Sequence, residues 1–186
     1  MRLVGIDPSL TALGLATPER VWAVKPPDRL RGPARLVYLR DATLEACQGA
    51  AIVTVEGYSH ASRHAAHALG ELGGVLRVAL YETGVRSVDV APSSRAKYAT
   101  GDGGAGKDQV LAAAIRRLGY QGHDDNEADA LWLRAMALDH YLGESVVPKA
   151  QRDALHALVT KKGPRKGQPV IDWPVLAETV STGGRL

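Results

Sequence analysis

Two short runs constrain this chain more than anything else in it: Leu3-Val4-Gly5-Ile6 and Ala51-Ile52-Val53-Thr54-Val55. Each is apolar and too short and β-branched for a helix, so each reads as a buried strand of an α/β sheet. Each also ends in a carboxylate, Asp7 in the first case and Glu56 in the second. The two acids therefore stand where strands leave the core, in the crevice where open α/β sheets place ligands. A carboxylate there needs a partner: a metal, a cation or a helix cap.

The rest of the chain can be read around these runs. Residues 13–17 and 21–24 read as two more strands about a Pro18-Glu19-Arg20 turn, giving an antiparallel start. Breaks at Pro26-Pro27-Asp28 and Arg31-Gly32-Pro33 lead into a helix carrying Leu36, Leu39 and Leu44, which ends near Gly49. A long helix is expected from 62 to about 82, where Gly70, Gly73 and Gly74 lower the propensity and offer close approach to a neighbouring backbone. Residues 85–91 form a further strand. The stretch APSSRAKYATGDGGAGKDQV gives a short helix and a glycine-rich loop, and 107–118 is an amphipathic helix. Residues 124–142 close the core as another helix. From about Pro148 onward the sequence offers one amphipathic helix, AQRDALHALV, then a basic Gly/Pro stretch and a weakly specified end. A chain of 186 residues divided this way is expected to be one domain over 1–145 with a basic appendage over 146–186.

Net charge is only +3, but its distribution is uneven. Residues 20–40 carry Arg20, Lys25, Arg29, Arg31, Arg35 and Arg40 against the single acid Asp28, and residues 149–168 repeat that balance against Asp153. Two such segments in a nearly neutral chain point toward nucleic acid, although charge runs are commonly just solvated faces. The lone Cys47 excludes an intramolecular disulfide and a cysteine-rich zinc site. With no signal-peptide pattern and no long apolar span, a soluble cytoplasmic protein is expected.

A third source of carboxylates is HDDNEADALWLRA, at the start of the last core helix. Asn126 and Asp129 are three apart, and Asp125 and Asp129 four apart, so either pair shares a face. Asp124 suits an N-cap with Glu127 completing a capping box, and Asp125 suits the positive end of the helix. Asp129 lies one turn further in, where no cap is available, and is read as a site residue. Clustered with Asp7 and Glu56, these groups supply the oxygen ligands that a hard cation such as Mg²⁺ requires. Two such ions roughly 3.5 to 4 Å apart can activate a water and stabilise the leaving oxygen of a phosphodiester. His64 and His67, three apart, have no third soft ligand nearby and read as surface histidines, as does His140.

The segments GIDPSLTALGLA, IVTVEGYSHA, APSSRAKYATGDGGAGKDQV and DDNEADALWLRAMA occur in an order and spacing that resemble the RuvC family of Holliday junction resolvases, especially its divergent phage-borne members, over about residues 1–142. The resemblance implies a ribonuclease-H-like fold, α/β, with a mixed five-stranded sheet and helices on both faces. It implies a homodimer that cuts symmetric strands of a four-way DNA junction, with no membrane and no nucleotide cofactor involved. It also implies two Mg²⁺ ions, with Mn²⁺ able to substitute, held at positions that map onto Asp7, Glu56, Asn126 and Asp129. Asn126 departs from the family, which usually has Asp or His there; an amide oxygen can ligate but brings no charge, and Asp125 is the neighbour that can compensate.

Lys107 falls where the family places a basic residue near the scissile phosphate, and the glycine-rich loop before it allows close backbone approach. Its alternative is a surface lysine at a helix start. Tyr58 follows Glu56 where the family inserts an aromatic near the junction centre, and can stack on a base. Arg63 and Lys97 join Lys107 among the DNA-contact candidates, together with Lys161, Lys162, Arg165 and Lys166 of the basic stretch. Two further readings stand beside junction resolution. One is a ribonuclease-H-like nuclease on other branched DNA or RNA·DNA hybrids; the other, motivated by Asn126, is a junction-binding protein with an impaired site.

Overall fold

The computed structural model describes residues 1–57, 63–158 and 165–176, with backbone alone for 63–68. Five strands, Leu3–Asp7 (β1), Leu13–Ala16 (β2), Val21–Val24 (β3), Ile52–Glu56 (β4) and Ser87–Val90 (β5), form one sheet in the order β3-β2-β1-β4-β5. The first three run antiparallel as a meander, and β4 and β5 add in parallel to β1. The parallel additions require crossovers, supplied by helices Gly32–Ala46 (α1) and Arg63–Glu82 (α2). Three more helices follow: Pro92–Thr100 (α3), Lys107–Leu118 (α4) and Asp125–Leu142 (α5). This is the mixed five-stranded sheet that the resemblance implied.

Strand alternation divides the sheet into two faces. Val4, Ile6, Val53 and Val55 pack with Leu39 of α1 and with Leu72, Leu76 and Leu80 of α2. Leu3 and Ile52 point the other way and share a core with Trp132, Leu133 and Met136 of α5, Tyr98 of α3 and Val110 of α4. Gly5, Asp7, Thr54 and Glu56 follow the second set by period two, so both strand-end carboxylates emerge on the face covered by α5. The register that sets Ile6 beside Val55 carries Asp7 to the level of Glu56.

Two glycines set how closely α5 lies on that face. A Cβ at Gly5 would overlap the Ala130 carbonyl oxygen, and one at Gly14, which pairs with Asp7 across β1 and β2, would overlap the carbonyl of Asn126. Helix and sheet are therefore in backbone contact alongside the carboxylates. By contrast, the close approach expected at the α2 glycines is not found at Gly74, where an added Cβ meets nothing within 4 Å.

Three expectations need correction. Glu127 does not complete a capping box: Asp124 does cap α5, accepting from the N–H groups of Asn126 (2.9 Å) and Glu127 (3.3 Å), but the Glu127 carboxylate instead accepts from the Ala23 N–H (3.1 Å) and the Tyr120 hydroxyl (2.6 Å). A half-buried strand N–H and a phenol outcompete the local cap, and the bond ties α5 to β3. The amphipathic helix read from AQRDALHALV is only a four-residue helix, Lys149–Arg152 (α6), and a 3₁₀ turn, Asp153–Leu155. It stops because the Leu155 carbonyl accepts the Trp173 indole N–H (3.0 Å) and Leu158 bridges to Pro169. Nor is His140 an ordinary surface residue: its ring stacks on Trp173 at 4.5 Å and 11°.

The chain thus returns to the core after the basic stretch. Val147, Ala154, Leu155 and Ile171 are buried in the same cluster as Trp132. Tyr98 of α3 donates to Asp139 Oδ2 of α5 (2.9 Å), and Arg152 of α6 donates from Nε to the same oxygen (3.0 Å). No helix among the described residues is long and apolar enough to cross a membrane.

Candidate active site

Asp7, Glu56 and Asp129 converge, each offering a carboxylate oxygen within 4.8 Å of the others. The strand register brings the first two to one level, and the tight seat of α5 on Gly5 and Gly14 lowers Asp129 onto them. Asp7 is 6% exposed and Asp129 7%. Burial, reinforced by the charges of Glu56 and Asp129, raises the Asp7 carboxyl well above its ordinary range. Burial likewise raises Asp129, to about 7, against the counter-pull of a nearby arginine. Two buried acids and a half-buried third, with hard oxygen donors and too little counter-charge, have the donor chemistry that suits a divalent ion such as Mg²⁺.

The arginine is Arg95, on α3, and the sequence reading did not single it out. Its Nε donates to Glu56 Oε1 (2.6 Å) and its Nη1 to Asp129 Oδ1, and it is 7% exposed. Burial works against its charge, but Glu56 and Asp129 outweigh that and strengthen its hold on the proton. A signal was present: α3 buries Arg95, Ala96, Tyr98 and Ala99, so helical spacing puts a charged residue on the apolar face.

The two helix-start candidates are turned elsewhere. Asp125 pairs with Lys107 Nζ, and that bond lowers the Asp125 carboxyl and raises the Lys107 ammonium. Asn126 donates from Nδ2 to Asp124 Oδ1 (3.2 Å) and Asp125 Oδ1 (3.5 Å). Lys107, with its side chain 74% exposed, stands at the N-terminus of α4 beside the cluster; Asp129 and Asp7 both add to its retained charge. The preceding loop is folded on itself: Asp102 Oδ1 accepts the Gly104 N–H (2.8 Å), and Gln109 Oε1 accepts the Gly106 N–H (2.9 Å). Lys97, Arg165 and Lys166 are exposed. Tyr58, Lys161 and Lys162 lie outside the described residues, as do the side chains of Arg63, His64 and His67.

Two expected results follow. Asp125→Ala should leave the metal dependence of activity unchanged and cost about 0.3 to 1 kcal/mol in stability, because Asp125 serves the helix end and Lys107. A metal titration of cleavage checks this, and a markedly higher metal requirement would make Asp125 a ligand. The raised carboxyls also fix the sign of a pH effect. Their cost to folding is absent below about pH 4, where folded and unfolded forms are both protonated, and grows as pH rises toward 7. At about 1.4 kcal/mol per pKa unit the effect amounts to a few kcal/mol. Burial holds His140 below its ordinary range, which contributes the opposite sign as pH falls through 6.5. The measurement is therefore the difference in melting between wild type and Asp129→Asn in chelator. The variant should gain on wild type from pH 5 to pH 8.

No family model matches the chain. The crossover junction endodeoxyribonuclease RuvC of Nocardia farcinica (strain IFM 10152) is 30% identical over 153 residues, spanning 75% of this chain and 80% of the relative. That of Mycobacterium avium (strain 104) is 28% identical over 176 residues, spanning 87% and 93%. Among solved structures, Thermus thermophilus RuvC matches with a TM-score of 0.63 at 25% identity, over 77% of this chain and 97% of that one. T. thermophilus RuvC in complex with Holliday junction substrate matches with a TM-score of 0.62 at 25% identity, over 72% and 90%.

Proposed function

As the chain belongs to the RuvC family of crossover junction endodeoxyribonucleases, with its ribonuclease-H-like fold, we propose that it is an endonuclease that resolves four-way DNA junctions in the cytoplasm by hydrolysing phosphodiesters at the Asp7, Glu56 and Asp129 cluster. The observation that carries this reading is the convergence of two carboxylates at adjacent strand ends with a third from α5, which packs over them. Asp7, Glu56 and Asp129 would hold a divalent ion, Mg²⁺ or in its place Mn²⁺. When bound, such an ion supplies Lewis acidity and a water nucleophile at neutral pH. The protein fixes Asp7 and Glu56 by strand register and Asp129 by the close seat of α5 on the sheet, so little reorganisation is left for the reaction itself. Lys107, exposed at the rim and positively charged, binds and orients a phosphate of the backbone.

A second copy of the chain is the proposed partner. On α2, Val78 and Tyr81 share one exposed face at helical spacing, 57% and 85% exposed, an apolar pair suited to self-association.

The deciding experiment is incubation with a labelled mobile four-way junction, with and without Mg²⁺ or Mn²⁺, beside flaps, replication forks and RNA·DNA hybrids. Paired nicks in the junction that need the metal bear out the proposal. Preferential cutting of another substrate would reassign the specificity, and binding without nicking would make the chain a junction-binding protein.

Arm contacts are assigned to the basic stretch, including Lys161, Lys162, Arg165 and Lys166. Cutting the chain near Leu158 is a poor test, since it also strips buried Ile171 from the core. Arg165→Ala and Lys166→Ala should instead each reduce the slope of log affinity against log salt by about 0.9 for duplex arms, with metal-dependent cleavage intact at saturating protein. An unchanged slope would mark both as solvated.

A further inference from the structure

The carboxylate cluster already contains a cation. Arg95 is buried, bonded to one oxygen of Glu56 and one of Asp129, and anchored on a helix whose next turn is fixed by the bond from Tyr98 to Asp139. Such a group is not poised to leave, and its charge persists at every working pH. With all three carboxylates ionised, as metal ligation requires, the cluster and Arg95 together carry two negative charges. Nearby, Lys107 cancels Asp125, and Asn126 brings a neutral amide where the family resemblance implied a fourth ligand with charge.

We propose that Arg95 is a resident counter-ion that takes the electrostatic place of one metal, so that the DNA-free site binds a single divalent ion. The inference rests on the reading of Asp7, Glu56 and Asp129 as the metal site, but concerns the number of ions rather than their presence. Two divalent ions would bring four positive charges to a cluster of net charge minus two, and among the described residues no fourth acid joins the three in that cluster. One ion balances it. Arg95 also orients its two carboxylates in the metal-free protein, because a guanidinium offers donors in a fixed fork while a metal-free cluster would otherwise repel itself apart.

The test counts ions on the DNA-free protein by Mn²⁺ titration, read by calorimetry and by the electron paramagnetic resonance signal of free Mn²⁺. Wild type should bind one ion per chain. Arg95→Leu should bind its first ion about tenfold or more tightly, since a unit positive charge has been removed beside it. It should also melt lower than wild type in chelator and recover with Mn²⁺. Arg95→Leu combined with Asn126→Asp should bind two ions. Arg95→Lys keeps the charge and should keep the count at one; should the leucine variant fail to fold, this variant, the wild-type count and Asn126→Asp, which should tighten the single ion, carry the test. Two ions on wild type, or unchanged affinity in Arg95→Leu, would overturn the counter-ion role while leaving the metal site standing. Absence of any bound ion in wild type and variants would overturn both.

Discussion

Asp7→Asn should abolish junction cleavage, by about a thousandfold or more, while leaving junction affinity within about twofold of wild type. The carboxylate is buried among Glu56 and Asp129 and far from the basic stretch in sequence, so replacing it removes charge from the reacting centre and none from the surface that holds DNA. Electrostatic and metal contributions at such centres amount to several kcal/mol, and each 1.36 kcal/mol is tenfold in rate. Glu56→Gln and Asp129→Asn should behave alike. The same substitution has a second, opposite consequence. Ionising Asp7 in the folded protein is costly, because burial and two neighbouring acids oppose it. A neutral amide of the same shape relieves that cost, so Asp7→Asn should raise the melting temperature of the metal-free protein at pH 8. Loss of cleavage with gain of stability separates a site residue from a structural one. Retained nicking in Mg²⁺, or a fall in melting temperature with loss of binding, would refute the assignment.

Gly5→Ala should unfold the protein or leave it without activity, although it adds one methyl group to a strand. The added carbon would overlap the carbonyl oxygen of Ala130 and crowd the Arg134 N–H, and both are helix backbone with no rotamer to shift. Overpacking a well-filled core typically costs 1 to 3 kcal/mol, and a clash with backbone lies at or beyond the top of that range. Relief requires α5 to lift off the sheet, which would take Asp129 away from Asp7 and Glu56. At a temperature where the variant still folds, its Mn²⁺ affinity should therefore fall together with its stability. As a control, Gly74→Ala, in open space on a helix, should be neutral or stabilise by up to about 1 kcal/mol. A Gly5→Ala protein with wild-type melting and metal binding would show that the helix does not need its close seat.

Much of this was legible before any coordinates. Strand ends are marked by β-branched runs that stop at an acid, and Asp7 and Glu56 follow directly from that pattern. Asp129 follows from its place one turn inside a helix, where capping cannot account for it. Arg95 was not legible as a partner of these acids, because its neighbours in sequence are small residues and the contact spans 39 residues to Glu56 and 34 to Asp129. Periodicity can flag a charge on a buried face without saying which charge it meets. Glu127 was misread for a related reason: local spacing favoured a capping box, and a tertiary donor, the Ala23 N–H, won. The segment after Leu158 was misread because its Gly, Pro and Lys content hides Ile171 and Trp173, two apolar residues in a short run without helical or strand periodicity, whose anchoring sites lie far back in the chain.

The shared acceptor at Asp139 ties the carboxy-terminal segment to the helices that carry Arg95 and Asp129. Tyr98 and Arg152 meet on one oxygen, so the short helix after Pro148 braces the same α3 that carries Arg95 three residues earlier. A graft that replaced everything beyond Leu142 would carry off Arg152 and leave the fully buried Asp139 carboxylate without its cation.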